Sequence, residues 1–297
     1  MRVFVTGASG FIGSAVVPEL VAAGHRVLGL ARSDASAKRV AALGAEVLRG
    51  DLNDLASLRA GAAECGGVIH LGFIHDFSDF AASVRTDLAA IMTMGEALAG
   101  SGRPLVVASG TAGVAPGRVV TEDVPFDPQA HPRGANALAA LGLQDRGVRV
   151  SIVRLAPTVH GEGDHGFVKT LVEIARAKGV SGYIGDGANR WNAVHRLDAA
   201  PLFRLALETA PAGATLHAVA EEAVPTRRIA EVIGRKLGLP VIPVAPDAAA
   251  AHFGWMARFF AIDQPASSAL TRERYGWTPS RPGLLEDLER GFYFEGP

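Results

Sequence analysis

The first 32 residues, MRVFVTGASGFIGSAVVPELVAAGHRVLGLAR, constrain this chain more than any other stretch. Met1–Thr6 is a largely apolar run rich in valine and phenylalanine, as expected for a strand buried on both faces. Gly7, Gly10 and Gly13 follow at once. Ser14–Ala23 then reads as a helix with Gly24 at its C-terminal cap, and His25–Ala31 as a second buried strand. Each glycine has a physical task. Gly7 permits the tight turn, Gly10 lets the backbone approach a pyrophosphate, and Gly13 allows close helix–strand packing. The helix N-terminus offers N–H groups and partial positive charge to the phosphates. Strand, glycine turn, helix and strand together are the context that makes a dinucleotide site of a glycine trio; a turn that merely packs is the plain alternative.

The end of the second strand decides which dinucleotide. An acid there would hold a ribose 2′-hydroxyl. This chain has Ala31, Arg32 and Ser33, with Lys38 and Arg39 close behind, and no carboxylate before Asp34. Arg32 suits a 2′-phosphate through a charge-assisted, bidentate contact. NADP is therefore expected ahead of NAD, against the alternative that Arg32 is a solvated loop residue.

Strands continue to alternate with helices: helices at 35–43, 55–62 and 80–101, strands at 45–48, 68–71 and 105–109. A parallel, doubly wound sheet follows, with ligands beyond the C-terminal strand ends. A sixth strand is expected at 149–155 and a seventh at 215–219. Helices are expected at 131–146, 167–178, 201–208, 225–237 and 284–292. With 297 residues, a net charge of −1 and one cysteine, Cys65, the chain reads as a globular protein without intrachain disulfide. A reducing cytoplasm fits, and neither nucleic acid nor membrane is expected as a partner. The N-terminus starts on a core strand, so no signal peptide is expected.

The TGxxGxxG spacing from Thr6 to Gly13 resembles the extended and atypical branches of the short-chain dehydrogenase/reductase superfamily, near the NAD-dependent epimerase/dehydratase group. Later segments carry the resemblance along the chain. APTVHGEGDHG (156–166) is similar to the family's RPxxVYGPG, the segment at 182–200 to one ending VHVDDxA, and the segment at 267–282 to its closing KaxxxLGWxP. The resemblance implies a Rossmann-type doubly wound domain, residues 1–160 with about 196–220. A small, mainly C-terminal substrate lobe would take 161–195 and 221–297. It implies cofactor contacts from Phe11 and Ile12 in the glycine turn, from Asp51 and Leu52 beside the adenine, and from Leu71, Gly72 and Phe73 after the fourth strand. Asp51 as cap of the next helix is equally compatible. A homodimer through the long helices is a family-level expectation.

The family's catalytic set is a Ser/Thr and a Tyr with a Lys four residues later. The lysine and the nicotinamide charge lower the tyrosine pKa from about 10. Matching SSxxVYG to Ser109–Val114 gives Thr111 as the hydroxyl, or Ser109 if the register slips by two; a turn hydroxyl satisfying backbone is the alternative. The Tyr/Lys half is absent. Tyr183, Tyr275 and Tyr293 are followed four residues later by Gly187, Pro279 and Pro297. The helix that should hold the pair starts with His131 and Arg133 instead. Histidine exchanges protons near neutrality, and arginine can stabilise an alkoxide. A solvated first turn fits those residues equally well.

Two further polar groups stand out. His160, Glu162, Asp164 and His165 lie at a strand end. No metal is expected there, because glycines interleave them; His160, at the tyrosine of VYG, is the best histidine for the nicotinamide, and His165 faces substrate in this reading. Arg190 and Trp191 offer a cation and a ring to an anionic or ring-bearing small molecule, as related epimerases use an arginine near here; core for Trp191 and surface for Arg190 is the even alternative. Phe253, Trp255, Phe259 and Phe260 read as lobe core ahead of pocket lining. The leading function is an NADP(H)-dependent oxidoreductase acting on a carbonyl or alcohol of a small organic substrate. A nucleotide-sugar epimerase or dehydratase, and a non-catalytic NADP sensor, stand behind it.

Overall fold

A computed structural model describes residues 1–76, 79–128 and 132–295. Its main sheet alternates strands and helices: β1 (Arg2–Thr6), α1 (Gly13–Ala22), β2 (Arg26–Ala31), α2 (Asp34–Ala42), β3 (Glu46–Arg49), α3 (Leu55–Glu64), β4 (Gly67–His70), α4 (Phe80–Leu98), β5 (Pro104–Gly110), α5 (Pro132–Leu141) and β6 (Arg149–Leu155). The lobe and return segments follow as β7 (Thr158–His160), α6 (Phe167–Lys178), β8 (Ser181–Ile184), β9 (Arg190–His195), α7 (Arg196–Thr209), β10 (Ala214–Ala218), β11 (Glu221–Pro225), α8 (Thr226–Leu237) and β12 (Val241–Val244). Short helices α9 (Ala249–Phe253), α10 (Ala257–Phe260), α11 (Ala269–Tyr275) and α12 (Leu284–Arg290) complete the chain.

Seven parallel strands form one sheet in the order β10-β6-β5-β4-β1-β2-β3. The order reverses between β1 and β4, the switch point where doubly wound sheets open a ligand crevice. Strand alternation sends Val3 and Val5 to one face and Phe4 to the other. On the first face α1 and α7 pack with Val17, Leu20 and Phe203. On the second α3, α4 and α5 pack with Leu58, Ile91 and Met94. A separate core of Trp191, Ile229, Phe253, Met256 and Phe260 lies among α6, α8, α9 and α12, beside the small sheets β11-β9-β7 and β12-β8.

Helix ends follow local chemistry. Ser33 and Ser36 form a capping box at α2. Asp54 caps α3, so the alternative of Asp51 as cap is set aside. The helix expected at 201–208 begins at Arg196, because His195 Nδ1 accepts the Leu197 N–H and starts it upstream of Pro201. The helix expected through Arg146 tightens at Gly142 into a single 3₁₀ turn. No helix among the described residues is long and apolar enough to cross a membrane.

Candidate functional site

The glycine turn is set by contacts that leave no room for side chains. Gly7 has φ +68°, and a Cβ there would stand 2.8 Å from Gly72 N. A Cβ on Gly13 would stand 2.1 Å from Gly7 O, so α1 starts directly against the turn. Gly10 differs: its Cβ would meet only Gly7 O, at 3.2 Å. Its outer side opens into a cleft of about 1350 Å³. The first turn of α1 carries no acid to repel an anion.

Of the residues expected at the cofactor, Gly7, Gly10, Phe11, Ile12, Gly13, Arg32, Ser33, Asp51, Leu52, Leu71, Gly72, Phe73 and Ser109 all line this cleft. Thr6 does not; it is buried behind the turn. Its hydroxyl accepts the Gly72 N–H at 3.1 Å and meets His70 Nδ1 at 2.7 Å. His70 Nε2 reaches Asp87 Oδ1 at 3.2 Å, and Asn136 donates to Asp87 Oδ2 at 2.7 Å. Since the carboxylate only accepts, the proton sits on Nε2 and Thr6 donates to Nδ1. Burial works to raise the Asp87 carboxyl. The His70 hydrogen bond, the Arg133 charge and the Asn136 bond outweigh it and hold it below the usual carboxylate range. A buried polar chain thus fixes the Gly72 backbone at the switch point. Nothing in the sequence alone marks it, since its four members come from β1, β4, α4 and α5.

At the adenosine end, Arg32 and Ser33 are joined by Ser36 and Arg39, which the sequence reading had not assigned. Asp34 turns away to Arg49, at 3.1 Å. The rim at the end of β2 therefore presents two guanidinium groups, with the Ser33 and Ser36 hydroxyls engaged in the α2 cap beside them.

At the other end of the cleft the expectations divide. Arg133 lines the cleft, donates to Ala108 O at 3.0 Å and lies over the Phe73 ring at 4.2 Å. Burial lowers its pKa, opposed by the Asp87 charge. His131 lies outside the described residues. Thr111 is corrected: it is 1% exposed, and its hydroxyl bonds Asn192 Oδ1 at 3.1 Å and Leu155 O at 3.3 Å. Ser109, two residues earlier, is the one of the two that lines the cleft. His160 is corrected too. It is fully buried, with Nδ1 on Asp287 Oδ2 at 2.7 Å and His195 Nε2 3.5 Å from the same oxygen. These histidines clamp α12 to β7 and β9. Asp164, at the cleft edge, accepts the Tyr293 hydroxyl at 2.8 Å and the Gly166 N–H at 2.7 Å.

His165 lines the cleft, edge-on to Phe11 with centroids 6.0 Å apart. Arg190 and Trp191 do not, and the substrate role given to them is withdrawn. Arg190 forms a two-pronged pair with Asp263, at 2.9 and 2.7 Å. Trp191 is fully buried in the lobe core. The lobe's contribution comes instead from Phe167, Thr170, Trp255 and Phe259, while Phe253 and Phe260 are core. His75 was also missed. It stands beside Phe73, with centroids 5.1 Å apart, and lines the cleft. Burial, then Arg133 and His165, lower its pKa below the ordinary histidine value.

Comparison with known proteins gives the family and the fold. Residues 3–219 match the model of the NAD dependent epimerase/dehydratase family. An uncharacterized protein of Schizosaccharomyces pombe is 48% identical over 99% of this chain and 100% of its own length. A Stigmatella aurantiaca protein, 4-hydroxy-2-methyl-3-oxo-4-farnesyl-3,4-dihydroquinoline-1-oxide ketoreductase, is 28% identical over 86% of this chain and 80% of its own. Among solved structures, MoeE5 in complex with UDP-glucose and NAD shares the fold with a TM-score of 0.77. It is 24% identical, over 98% of this chain and 97% of that one.

Proposed function

The chain belongs to the NAD dependent epimerase/dehydratase family of the short-chain dehydrogenase/reductase superfamily, and on that premise we propose that it is an NADP(H)-dependent oxidoreductase. It would reduce a carbonyl, or oxidise the matching alcohol, on a small organic substrate. The observation that carries this reading is one continuous cleft joining the glycine turn to a basic and aromatic pocket at Arg133 and His75.

The residues present suit the dinucleotide. Gly10 leaves open space where a pyrophosphate would lie, and Arg32 and Arg39 suit a 2′-phosphate. The bound dinucleotide supplies the hydride or accepts it. The chain's own residues then manage charge and proton at the substrate oxygen. Arg133 keeps its proton at any physiological pH and stabilises a developing alkoxide. Ser109 orients the oxygen, as a hydroxyl on a rigid strand end. His75, with its lowered pKa, is mostly neutral at pH 7. As proton donor for reduction it would make kcat/KM fall as pH rises through a value below 6.5.

The test is titration with NADPH and NADH, followed by a carbonyl panel. NADPH is expected to bind more tightly, and Arg32→Asp to erase at least about tenfold of that preference, or ~1.4 kcal/mol. Equal loss for both dinucleotides would remove the 2′-phosphate argument. Tight NADPH binding without consumption on any substrate would favour the sensor reading, which the missing Tyr/Lys pair supports.

A further inference from the structure

Two arginines of α7 reach α1, and they meet different partners. Arg204 donates from Nε to Glu19 at 2.7 Å and from Nη1 to Glu208 at 2.9 Å, an ion-pair network that packs the two helices together. Arg196 lies about two turns earlier, as the first residue of α7. It reaches the first turn of α1, where its Nη1 donates to the Ser14 hydroxyl at 3.2 Å. No carboxylate pairs with Arg196 among the described residues, and its Nε is buried without a partner. A half-buried guanidinium with donors to spare is costly unless an acceptor takes them.

The surroundings accommodate this side chain. Val194–Ala200 resembles VHVDDxA, and Arg196 stands where that motif has its second valine. Gly161 has φ +134°, and a Cβ there would stand 3.4 Å from Arg196 Cγ, so the loop after β7 leaves room for the stem. The guanidinium lies 5.1 Å from the Phe11 ring centroid, and His165 meets the same ring edge-on. Gly10, Phe11, Ser14 and Arg196 all line the cleft. Arg32 and Arg39 serve the rim at the end of β2, whereas Arg196 stands against the glycine turn itself, beside the open side of Gly10.

We propose that Arg196 is a dinucleotide-binding residue, a cation that α7 brings to the pyrophosphate seat. The inference rests on the dinucleotide part of the oxidoreductase reading and deepens it. A guanidinium stays charged at any physiological pH and suits two phosphate oxygens at once. The pyrophosphate is common to both dinucleotides, so Arg196 sets affinity and leaves the preference between them to Arg32.

The test is calorimetric titration of the full chain with NADPH, NADH and adenosine 2′-monophosphate, which has no pyrophosphate. Arg196→Met keeps an unbranched stem against Gly161 and removes the charge. It is expected to weaken NADPH and NADH by the same factor, at least about tenfold, and to leave adenosine 2′-monophosphate within about twofold. Arg196→Lys, which keeps a charge, should bind both dinucleotides more tightly than Arg196→Met; a packing role would not follow charge. Unchanged dinucleotide affinity in Arg196→Met would overturn the proposal. So would a loss confined to NADPH, equal affinities in the Lys and Met variants, or a loss for adenosine 2′-monophosphate as large as for NADPH. The two readings fail separately. Arg196-dependent binding without consumption of NADPH on any carbonyl upholds Arg196 and removes the oxidoreductase. Carbonyl turnover with dinucleotide binding indifferent to Arg196→Met does the reverse.

Discussion

The two ends of the cleft are built by different means. The dinucleotide end is made of backbone: Gly7, Gly10 and Gly13 over seven residues, at the reversal between β1 and β4. The other end is made of side chains from the loop after β4, α5, α6 and the segment around α10: His75, Arg133, Phe167, Trp255 and Phe259. The first kind of site depends on residues that have no side chain, so substitution acts sterically and on the fold. The second depends on the identity of a few side chains held by distant elements. The polar segments that look most like a site, at 160–165 and 189–195, mostly hold the lobe together through Asp287, Asp263 and Asn192.

That contrast can be broken most forcefully at Gly13. Gly13→Val would place atoms inside Gly7 O and is expected to cost more than about 3 kcal/mol and to abolish NADPH binding. Gly10→Ala, with only one 3.2 Å neighbour, should leave the melting temperature almost unchanged while weakening NADPH about tenfold, or ~1.4 kcal/mol. Equal melting losses for the two variants would erase the distinction between packing glycine and ligand-facing glycine.

A comparable effect is expected from acid at His217, which does not line the cleft. It donates from Nδ1 to Ser267 O at 2.7 Å, and Nε2 faces Arg154 at 3.3 Å. Burial pushes its pKa down to about 4, against the pull of Glu122. The unfolded chain therefore binds the extra proton first. Stability is full above pH 6.5 and falls toward pH 4, by about 3 kcal/mol. His217→Asn should flatten that part of the pH–stability curve in denaturant titrations; an unaltered slope would assign the loss to other groups.

The smallest effect sharpens the comparison from the other side. Thr111→Val should cost about 1–2 kcal/mol through lost buried hydrogen bonds and leave turnover within about twofold. A large fall in kcat with a normal melting temperature would return Thr111 to the site.

What could be read from the sequence follows the same division. Strand–turn–helix order, the glycine trio and the basic β2 end are local and periodic, so Gly7 through Gly13, Arg32 and Phe73 were found where the cleft lies. Arg133 was reached through an absence, since no lysine follows a tyrosine at helical spacing. Thr111 failed because β5 ends at Gly110, and just beyond it the Thr111 hydroxyl turns to Leu155 O and Asn192 Oδ1, partners 44 and 81 residues away that no local spacing reveals. His160 and Arg190 failed because their partners, Asp287 and Asp263, lie 127 and 73 residues away, and Trp191 because the core around it is assembled from several separate segments of the lobe. His70, Asp87 and Asn136 carried no motif at all. Trp255 was hidden in a run of aromatics whose neighbours, Phe253 and Phe260, are core.

The most direct measurement is NADPH consumption on a panel of aldehydes and ketones by the wild-type chain and by Arg133→Ala, with NADPH affinity measured in parallel. The account predicts turnover in the wild type and a fall of about 100-fold in kcat in the variant, as for loss of an oxyanion donor, with NADPH affinity changed only slightly. An unchanged kcat would contradict it, by showing that the cationic group on the cleft floor is not what replaces the missing tyrosine and lysine.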